Sequence, residues 1–594
     1  MITAIIKDYI IQYISTNHGL VLKHDDVVIL PTRKEFEGSH TFNSFAIASK
    51  ISANPEALNH SIGKYLVENH YEFDRYNVVK GFLNITLSNN YITQFVSKSI
   101  KNSHYFHMPA NNIKVMIEYS SPNTNKPLHL GHLRNNFLGY SLAQILKAAG
   151  YEVIKANLVN DRGIHICKSM LAYLKTGNGE TPASSGVKGD KLVGKYYVIF
   201  DQKYKEEISN LMAGGQTEAE AQNQSIWMAE ARELLQKWEA NDHDTVYLWK
   251  TMNAWVYSGF EETYQKIGVN FDTTYYESDT YLLGKNVVKE GLEKGIFYQN
   301  DDTSVWVDLT EDKLDHKLLL RSDGTSVYIT QDLGTADLKY ADYKIDKSIY
   351  VVGNEQDYHF NVLKAILQKL GRPYAAGIYH LSYGMVDLPS GKMKSREGTV
   401  VDADDLVQEM KDTAQEYAQS SGKLEGLPDD VLQNTYMQIG LGALKYYLLK
   451  IDPKKRLLFN PSESIDFQGH TGPFIQYTHA RICSIIRKAK AMEIAFENFD
   501  STSYLMSASE RNLAVALMGY HEALTDAAHT YSPALMANYV YELAKYYNTF
   551  YQDMNILQEP EYEVKIFRLA LSSLVAQTIA NCMVLLGIDC PEKM

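Results

Sequence analysis

Two imidazoles three residues apart, His129 and His132, flank Gly131, with Lys126 and Asn123 just upstream. They fall within Ile117-Glu118-Tyr119-Ser120-Ser121-Pro122-Asn123-Thr124-Asn125-Lys126-Pro127-Leu128-His129-Leu130-Gly131-His132-Leu133-Arg134. Two rings, a lysine and a glycine gathered in this way suit an anion that gains charge, above all the phosphates of a nucleotide. The elements that must position them are legible on either side. Ile113, Val115 and Ile117 alternate as in a strand, and Pro122 stops the pairing. After Pro127, Leu133, Phe137, Leu138, Leu142, Ile145 and Ala149 recur at helical spacing, and Gly150 follows as a C-cap. Residues 151–159 read as the next strand, so the unit is βαβ with a parallel sheet. The motif therefore sits where a strand ends and a helix begins. There, free N–H groups and the helix dipole favour an anion, and Gly131 lets a ligand approach the backbone. HxGH is short, and a chain with 18 histidines can contain it by chance. Two histidines at i, i+3 are also half a metal site. No HExxH, CxxC or third nearby ligand accompanies them, so zinc is set aside and no metal ligands are assigned.

A second segment fits the same chemistry. Residues 378–383 read as a strand, followed by Gly384-Met385-Val386 and then Gly391-Lys392-Met393-Lys394-Ser395-Arg396-Glu397-Gly398. A basic loop between glycines after a strand suits a mobile phosphate clamp. Alone it reads equally as a solvated turn; paired with HxGH across a long insertion it is no longer isolated. One apparent motif is rejected. Gly189 to Lys195 matches P-loop spacing, but Tyr196 occupies the Ser/Thr position and no strand precedes it.

The two segments resemble the HIGH and KMSKS signatures of class I aminoacyl-tRNA synthetases. The wider wording is similar to the arginyl-tRNA synthetases. It includes residues 120–134 above, Tyr328-x-Thr330-x-Asp332-x-Gly334-Thr335-Ala336, Gly469-His470-Thr471-Gly472-Pro473-Phe474-Ile475-Gln476-Tyr477-Thr478-His479-Ala480-Arg481, and residues 586–594. The resemblance implies an α/β architecture: a Rossmann-like parallel-sheet catalytic domain with an inserted helical subdomain, an appended N-terminal α+β domain that touches the tRNA elbow, and a C-terminal all-α helix bundle that binds the anticodon. It implies activation of L-arginine by ATP to arginyl-adenylate and transfer to the 3′ end of tRNA(Arg). In that reaction His129 and His132 stabilise charge on the phosphates and Gly131 leaves room for the adenosine. Gly353, Met385 and Ser395 complete the nucleotide site, Lys126 and Lys392 hold the pyrophosphate part, Mg²⁺ neutralises the β/γ oxygens, and Asn123 orients the α-groups of arginine. Ser395 stands where the family's second loop lysine belongs and Lys394 falls one place early, so Lys126 is expected to stand in.

Charge argues for the same substrate. Glu118 closes the first strand, Tyr328 and Asp332 lie four apart on one helix face, and Gln356 follows the strand that ends at Gly353. Two carboxylates with a phenol and an amide suit a planar guanidinium better than a point-charge ammonium. Each residue alone reads as a surface acid or a helix pair; their convergence is implied by the resemblance. Two alternatives stay open: a class I synthetase for another amino acid, and an inactive relative kept as a tRNA-binding module.

At about 150 residues per domain, a chain of 594 suggests roughly four domains. The divisions expected are 1–108, 109–390 with an insertion at about 175–300, 391–456, and 457–594, the last all helical, with Ser532-Pro533 opening a helix that carries Leu535, Tyr539, Leu543 and Tyr547 on one face. No apolar run is long enough for a bilayer and no signal pattern opens the chain, so no membrane partner is expected. Cys167, Cys483, Cys582 and Cys590 lack paired spacing, which suits a reducing cytoplasm. The net charge of −13 opposes general binding to nucleic acid. Basic residues nevertheless cluster at Lys445, Lys450, Lys454, Lys455 and Arg456, and again at Arg481, Arg487, Lys488 and Lys490. Arg481, Arg487 and Lys488 are the expected tRNA contacts, and a monomer is expected.

Overall fold

The computed structural model describes residues 2–33, 35–102, 104–387, 401–421, 428–497, 499–500 and 505–594. Lys392, Lys394 and Ser395 lie outside the described residues. The site is built by a five-stranded, all-parallel sheet. Its strands are β1 (Lys114–Glu118), β2 (Glu152–Val159), β3 (Thr273–Tyr276), β4 (Lys347–Gly353) and β5 (Ile378–Tyr383), in the order β5-β4-β1-β2-β3. β1 is the middle strand, and Val115, Met116 and Ile117 are buried there on both faces, as a parallel sheet requires. The chain runs outward from β1 through β2 to β3, then returns to lay β4 and β5 on the other side of β1. That reversal opens a crevice at the carboxyl ends of β1 and β4, where α/β proteins bind ligands.

Helix α1 (Leu130–Ala148) connects β1 to β2 and stops at Ala149, with Gly150 at φ +89° as expected for a left-handed cap. A Cβ on Gly150 would meet the Pro109 carbonyl oxygen at 2.1 Å, so the turn is also a close approach. Between β2 and β3 come α2 (Ile164–Thr176), a four-residue helix (Pro182–Ser185), α3 (Gly189–Ala213), two shorter helices and α4 (His243–Ile267). Gly189 to Lys195 is the opening of α3, a helix of 25 residues, so it is no phosphate loop.

The return of strand structure differs from the expectation. It comes at β3, a four-residue edge strand inside the stretch assigned to the insertion. Thr-Thr-Tyr-Tyr has no alternation to reveal it. Val305–Val307 pairs antiparallel with Phe297–Gln299 and Lys317–Leu320 in a separate three-stranded sheet. After it, α5 (Tyr328–Tyr343) leads to β4, and α6 (Asp357–Lys369) links β4 to β5.

At the N-terminus, helix Ile2–His18 buries Ile2, Ile6, Ile10 and Ile14 as one stripe beside a four-stranded antiparallel sheet. This unit leans on the C-terminal helices. The Ser97 hydroxyl donates to the Phe499 carbonyl at 2.9 Å, and Arg511 donates to the Leu87 carbonyl at 2.6 Å.

The C-terminal part comprises α7 (Ala403–Ser421), α8 (Asp429–Leu449), α9 (Gly472–Ala491), two shorter helices, α10 (Pro533–Asp553) and α11 (Tyr562–Leu585). Beyond Leu457 it is helical except for Leu457–Leu458, which pairs with Val386–Asp387. On α10 Leu543 and Tyr547 are buried and Leu535 is exposed. The expectation of no bilayer-length apolar run needs correction at α11. It is long and apolar enough by length and composition, with a mean hydropathy of 1.3, and 67% of that window is buried inside the bundle. Burial at the centre of the helices is the physical reason for its apolarity.

From the last residue of α11 onward the backbone is held by side chains rather than by a sheet. Ser141 donates to the Leu585 carbonyl at 2.8 Å, Lys445 to that of Gly587, Gln476 to that of Asp589 at 2.7 Å, and Arg487 to that of Glu592 at 3.1 Å.

Candidate active site

HxGH opens α1. His129 is its N-cap: the Nδ1 atom of its ring accepts from the Gly131 N–H at 3.1 Å, and the His129 N–H donates to His132 Nδ1 at 3.2 Å. The two rings lie 4.0 Å apart. Burial pushes the His129 imidazole down to about 3, helped by the Lys126 charge, and pushes His132 well below its ordinary value too, with the charges of His129 and Lys126 adding to it. Both rings are therefore neutral near pH 7. With each Nδ1 used as an acceptor, the single ring proton of each is on Nε2. The pair presents neutral N–H donors at a helix N-terminus. Burial lowers the Lys126 ammonium too.

The loop before α1 stores strain. Ser120 and Ser121 have φ of 73° and 44°, a region that costs a non-glycine residue on the order of 1–3 kcal/mol. Their N–H groups donate to Asn135 Oδ1 at 2.6 Å and Asn157 Oδ1 at 3.1 Å, which hold the turn in place. Asn123 is exposed and bridges in parallel to Asn160.

HxGH is also tied to both flanks of the segment that carries Lys392. On one flank, Arg134, fully buried, donates to the carbonyls of Gly384 at 2.9 Å, Met385 at 3.4 Å, Pro453 at 3.1 Å and Lys455 at 2.8 Å. On the other, the Leu130 N–H donates to the Val401 carbonyl and the Ala403 N–H to the Leu128 carbonyl. A cavity of about 200 Å³ adjoins this junction, lined by Lys126, Pro127, His129, Lys191, Gly194 and Asp402. A Cβ on Gly194 would meet Pro127 Cδ at 2.8 Å, so glycine there lets α3 approach Lys126.

The residues expected to bind a guanidinium reach the same end of the sheet in different states. Glu118 is buried at the end of β1 in an ion pair with Lys339 of α5. Asp332, half-buried on α5, pairs through Oδ2 with His359 Nε2 at 2.5 Å. Tyr328 begins α5 and is 79% exposed, and Gln356 is exposed in the turn between β4 and α6. Gly353 ends β4, and Met385, just beyond β5, is exposed. The charges of Glu118 and Asp332 both raise the Lys339 ammonium from its ordinary value, against burial; Tyr328 and Gln356 lie at the start of α5 and in the turn after β4.

Three residues of this region escaped the sequence analysis. Lys339 and Arg134 are the cations among the buried positions of α5 and α1, and that misfit was the available signal. Glu277, following β3, has its carboxyl pushed up to about 7, mainly by burial, with the nearby charges of Asp161 and Asp332 adding to it against Arg162. Nothing in its sequence context distinguishes it.

The basic clusters resolve unevenly. Lys445 is buried, with burial lowering it to about 8, so it is no part of a surface patch. Arg481 stacks between Tyr477 and Tyr551, each ring centre 4.9 Å from its guanidinium carbon, and lines a cavity of about 520 Å³ with Tyr417, Phe467, Phe474 and Met594. Arg487 and Lys488 are exposed on α9.

Known proteins match along the whole chain. The family described as tRNA synthetases class I (R), catalytic domain, matches residues 94–460, and the DALR anticodon binding domain matches 475–594. Curated relatives named arginine–tRNA ligase are 53% identical in Amoebophilus asiaticus, over 96% of each chain, and 54% identical in Flavobacterium psychrophilum, over 95% of each. The solved arginyl-tRNA synthetase of Thermus thermophilus shares the fold at a TM-score of 0.81 over 100% of both chains, with 23% identity. With a synthetase catalytic sheet, an anticodon-binding bundle and relatives of this closeness, the chain belongs to the arginyl-tRNA synthetases, class I enzymes that use ATP to join L-arginine to tRNA.

Proposed function

We propose that arginine is activated in the crevice at the carboxyl ends of β1 and β4. His129 and His132 donate Nε2–H to the phosphate oxygens of ATP, Gly131 gives the nucleotide close access to α1, and Gly353 and Met385 flank the adenosine. Lys126 and Lys392 hold the pyrophosphate part, with Ser395 beside them. Asn123 orients the α-groups of arginine, and Glu118, Asp332, Tyr328 and Gln356 receive its guanidinium. The observation that carries this reading is the use of both Nδ1 atoms by backbone N–H groups. It leaves two donors already oriented toward developing negative charge, and no side-chain nucleophile is needed because positioning and charge stabilisation do the catalysis. The arginine carboxylate attacks the α-phosphorus, pyrophosphate leaves, and the terminal ribose of tRNA then takes the acyl group from the adenylate.

Mg²⁺ bound with ATP would take phosphate oxygens and water as ligands and neutralise the β/γ oxygens; among the described residues no three His, Cys, Asp or Glu side chains gather as a cage. For tRNA, the aromatic cavity around Arg481 supports capture of an unstacked base, with Arg487 and Lys488 facing the phosphates. The N-terminal unit, residues 1–108, takes the elbow, and 391–456 contacts the stem. The enzyme works in the cytoplasm as a monomer without a membrane partner; four free cysteines support a reducing compartment. Light scattering tests the monomer.

The deciding experiment is charging of total tRNA with each of the 20 amino acids. Arginine alone should be attached, and attachment of any other amino acid overturns the reading. Pyrophosphate exchange then compares Lys126→Ala with Lys392→Ala. Both should fall alike, and an unchanged rate for Lys126→Ala removes that assignment.

A further inference from the structure

The carboxylate that ends β1 already has a cation. Lys339 Nζ meets Glu118 Oε2, and the two residues are 1% and 5% exposed. Asp332 and Lys339 are seven residues apart on α5, two turns along one face. The Lys339 ammonium lies 4.7 Å from the centre of the Tyr350 ring and 6.0 Å from that of Tyr275, so its far side is closed by aromatic faces. Asp332 in turn gives Oδ2 to His359. Among the described residues, neither Glu118 Oε1 nor Asp332 Oδ1 carries a hydrogen bond. Each carboxylate thus has one oxygen committed to a resident partner and one oxygen left.

We propose that Lys339 is the specificity-determining residue of the pocket, filling the point-charge position on Glu118 with its own ammonium so that only a planar fork can use the oxygens that remain. The inference rests on the pocket assignment made above and names a residue that assignment does not contain. A lysine or ornithine ammonium needs one compact anionic site. The compact site on Glu118 is occupied by an intramolecular, buried copy of the same group, and a second ammonium beside it meets like charge. A guanidinium spreads its charge over five N–H donors in a plane, so it can use a single remaining oxygen on each of two carboxylates where an ammonium needs one compact site. Without Lys339 the two carboxylates would attract any side-chain cation.

The test is the ratio between the inhibition constant of L-lysine and the KM for L-arginine in tRNA charging, measured in Lys339→Met, Lys339→Gln and Lys339→Arg. The Gln variant keeps an N–H donor for Glu118, and the Arg variant keeps a cation there. The ratio should fall by at least about tenfold in the Met and Gln variants, the scale of one close charge contact, and return toward the parent value in the Arg variant. A purely structural role would lower activity while leaving that ratio fixed. A folded Met or Gln variant with an unchanged ratio overturns the proposal. So does loss of fold in both, with the Arg variant stable, since Lys339 would then be a core ion pair only. Glu118→Gln separates the two layers: an unchanged KM for arginine overturns the pocket assignment itself, whereas a raised KM beside an unchanged ratio in the Lys339 variants overturns only the role of Lys339.

Discussion

In the site proposed above, the two ends of the crevice meet opposite charges by opposite means. At the phosphate end, the protein keeps its imidazoles neutral, fixes their tautomers with backbone N–H groups and straps the surrounding chain with Arg134. At the amino-acid end, Glu118 and Asp332 keep partners before any substrate arrives. The phosphate end is a fixed set of dipoles that needs no rearrangement. The amino-acid end is a set of half-used carboxylates, where selectivity comes from what is already occupied. A site for a large, delocalised anion can be held ready by backbone geometry; a site that must tell one cation from another has to be partly filled.

Four changes would break or sharpen this contrast. The largest expected effect is Asp332→Ala, which should weaken arginine binding by about 2–5 kcal/mol, as for loss of one partner of a close charge pair. Calorimetric affinity for arginine checks it, and an unchanged value would move the pocket elsewhere. His132→Ala should lower the activation rate roughly 10²–10³-fold at unchanged arginine affinity, the range for one preorganised donor. A rise in arginine KM of similar size would mean the two ends are not separable.

The third concerns pH. The folded pKa of His129 lies near 3, below the unfolded value near 6.5. The folded state thus binds fewer protons between those limits, and stability is complete above pH 6.5 and lost as pH falls toward 3. Denaturant midpoints from pH 7 down to 5 should drop, and the slope should flatten in His129→Gln. Equal slopes would place the acid sensitivity in other groups. The smallest effect belongs to Tyr328→Phe, which should leave stability within about 0.5 kcal/mol, as for an exposed position, and show any loss in arginine KM alone. A marked drop in melting temperature would contradict the exposed placement of that ring.

Sequence reading was strongest where chemistry and periodicity coincide. The β1–α1–β2 unit, the helix from Tyr328 and the strand Ile378–Tyr383 were legible because apolar spacing and end signals agree there. β3 was not, because four residues at a sheet edge carry no period. Glu118 was legible as the acid that closes β1, but Lys339 was not legible as its partner. Helical spacing places Lys339 on the face of Asp332, yet nothing local says that this face meets the end of a strand far away in sequence. Arg134 hid for a related reason. Its four carbonyl acceptors come from two turns remote in the chain, which only the folded molecule brings together.

The carbonyls beyond α11 carry one more consequence, in the order of events as the chain is made. Ser141, Lys445, Gln476 and Arg487 come from the catalytic and C-terminal helices, and all four donate to residues 585–592. Until those residues have left the ribosome, the buried Lys445 ammonium has no carbonyl to meet, and the Gln476 amide has lost one of its two. The bundle and its seam with α1 can collapse early, yet their polar interior is satisfied only once residues 585–592 have been made and have docked, a long-range closure of the kind that makes folding slow.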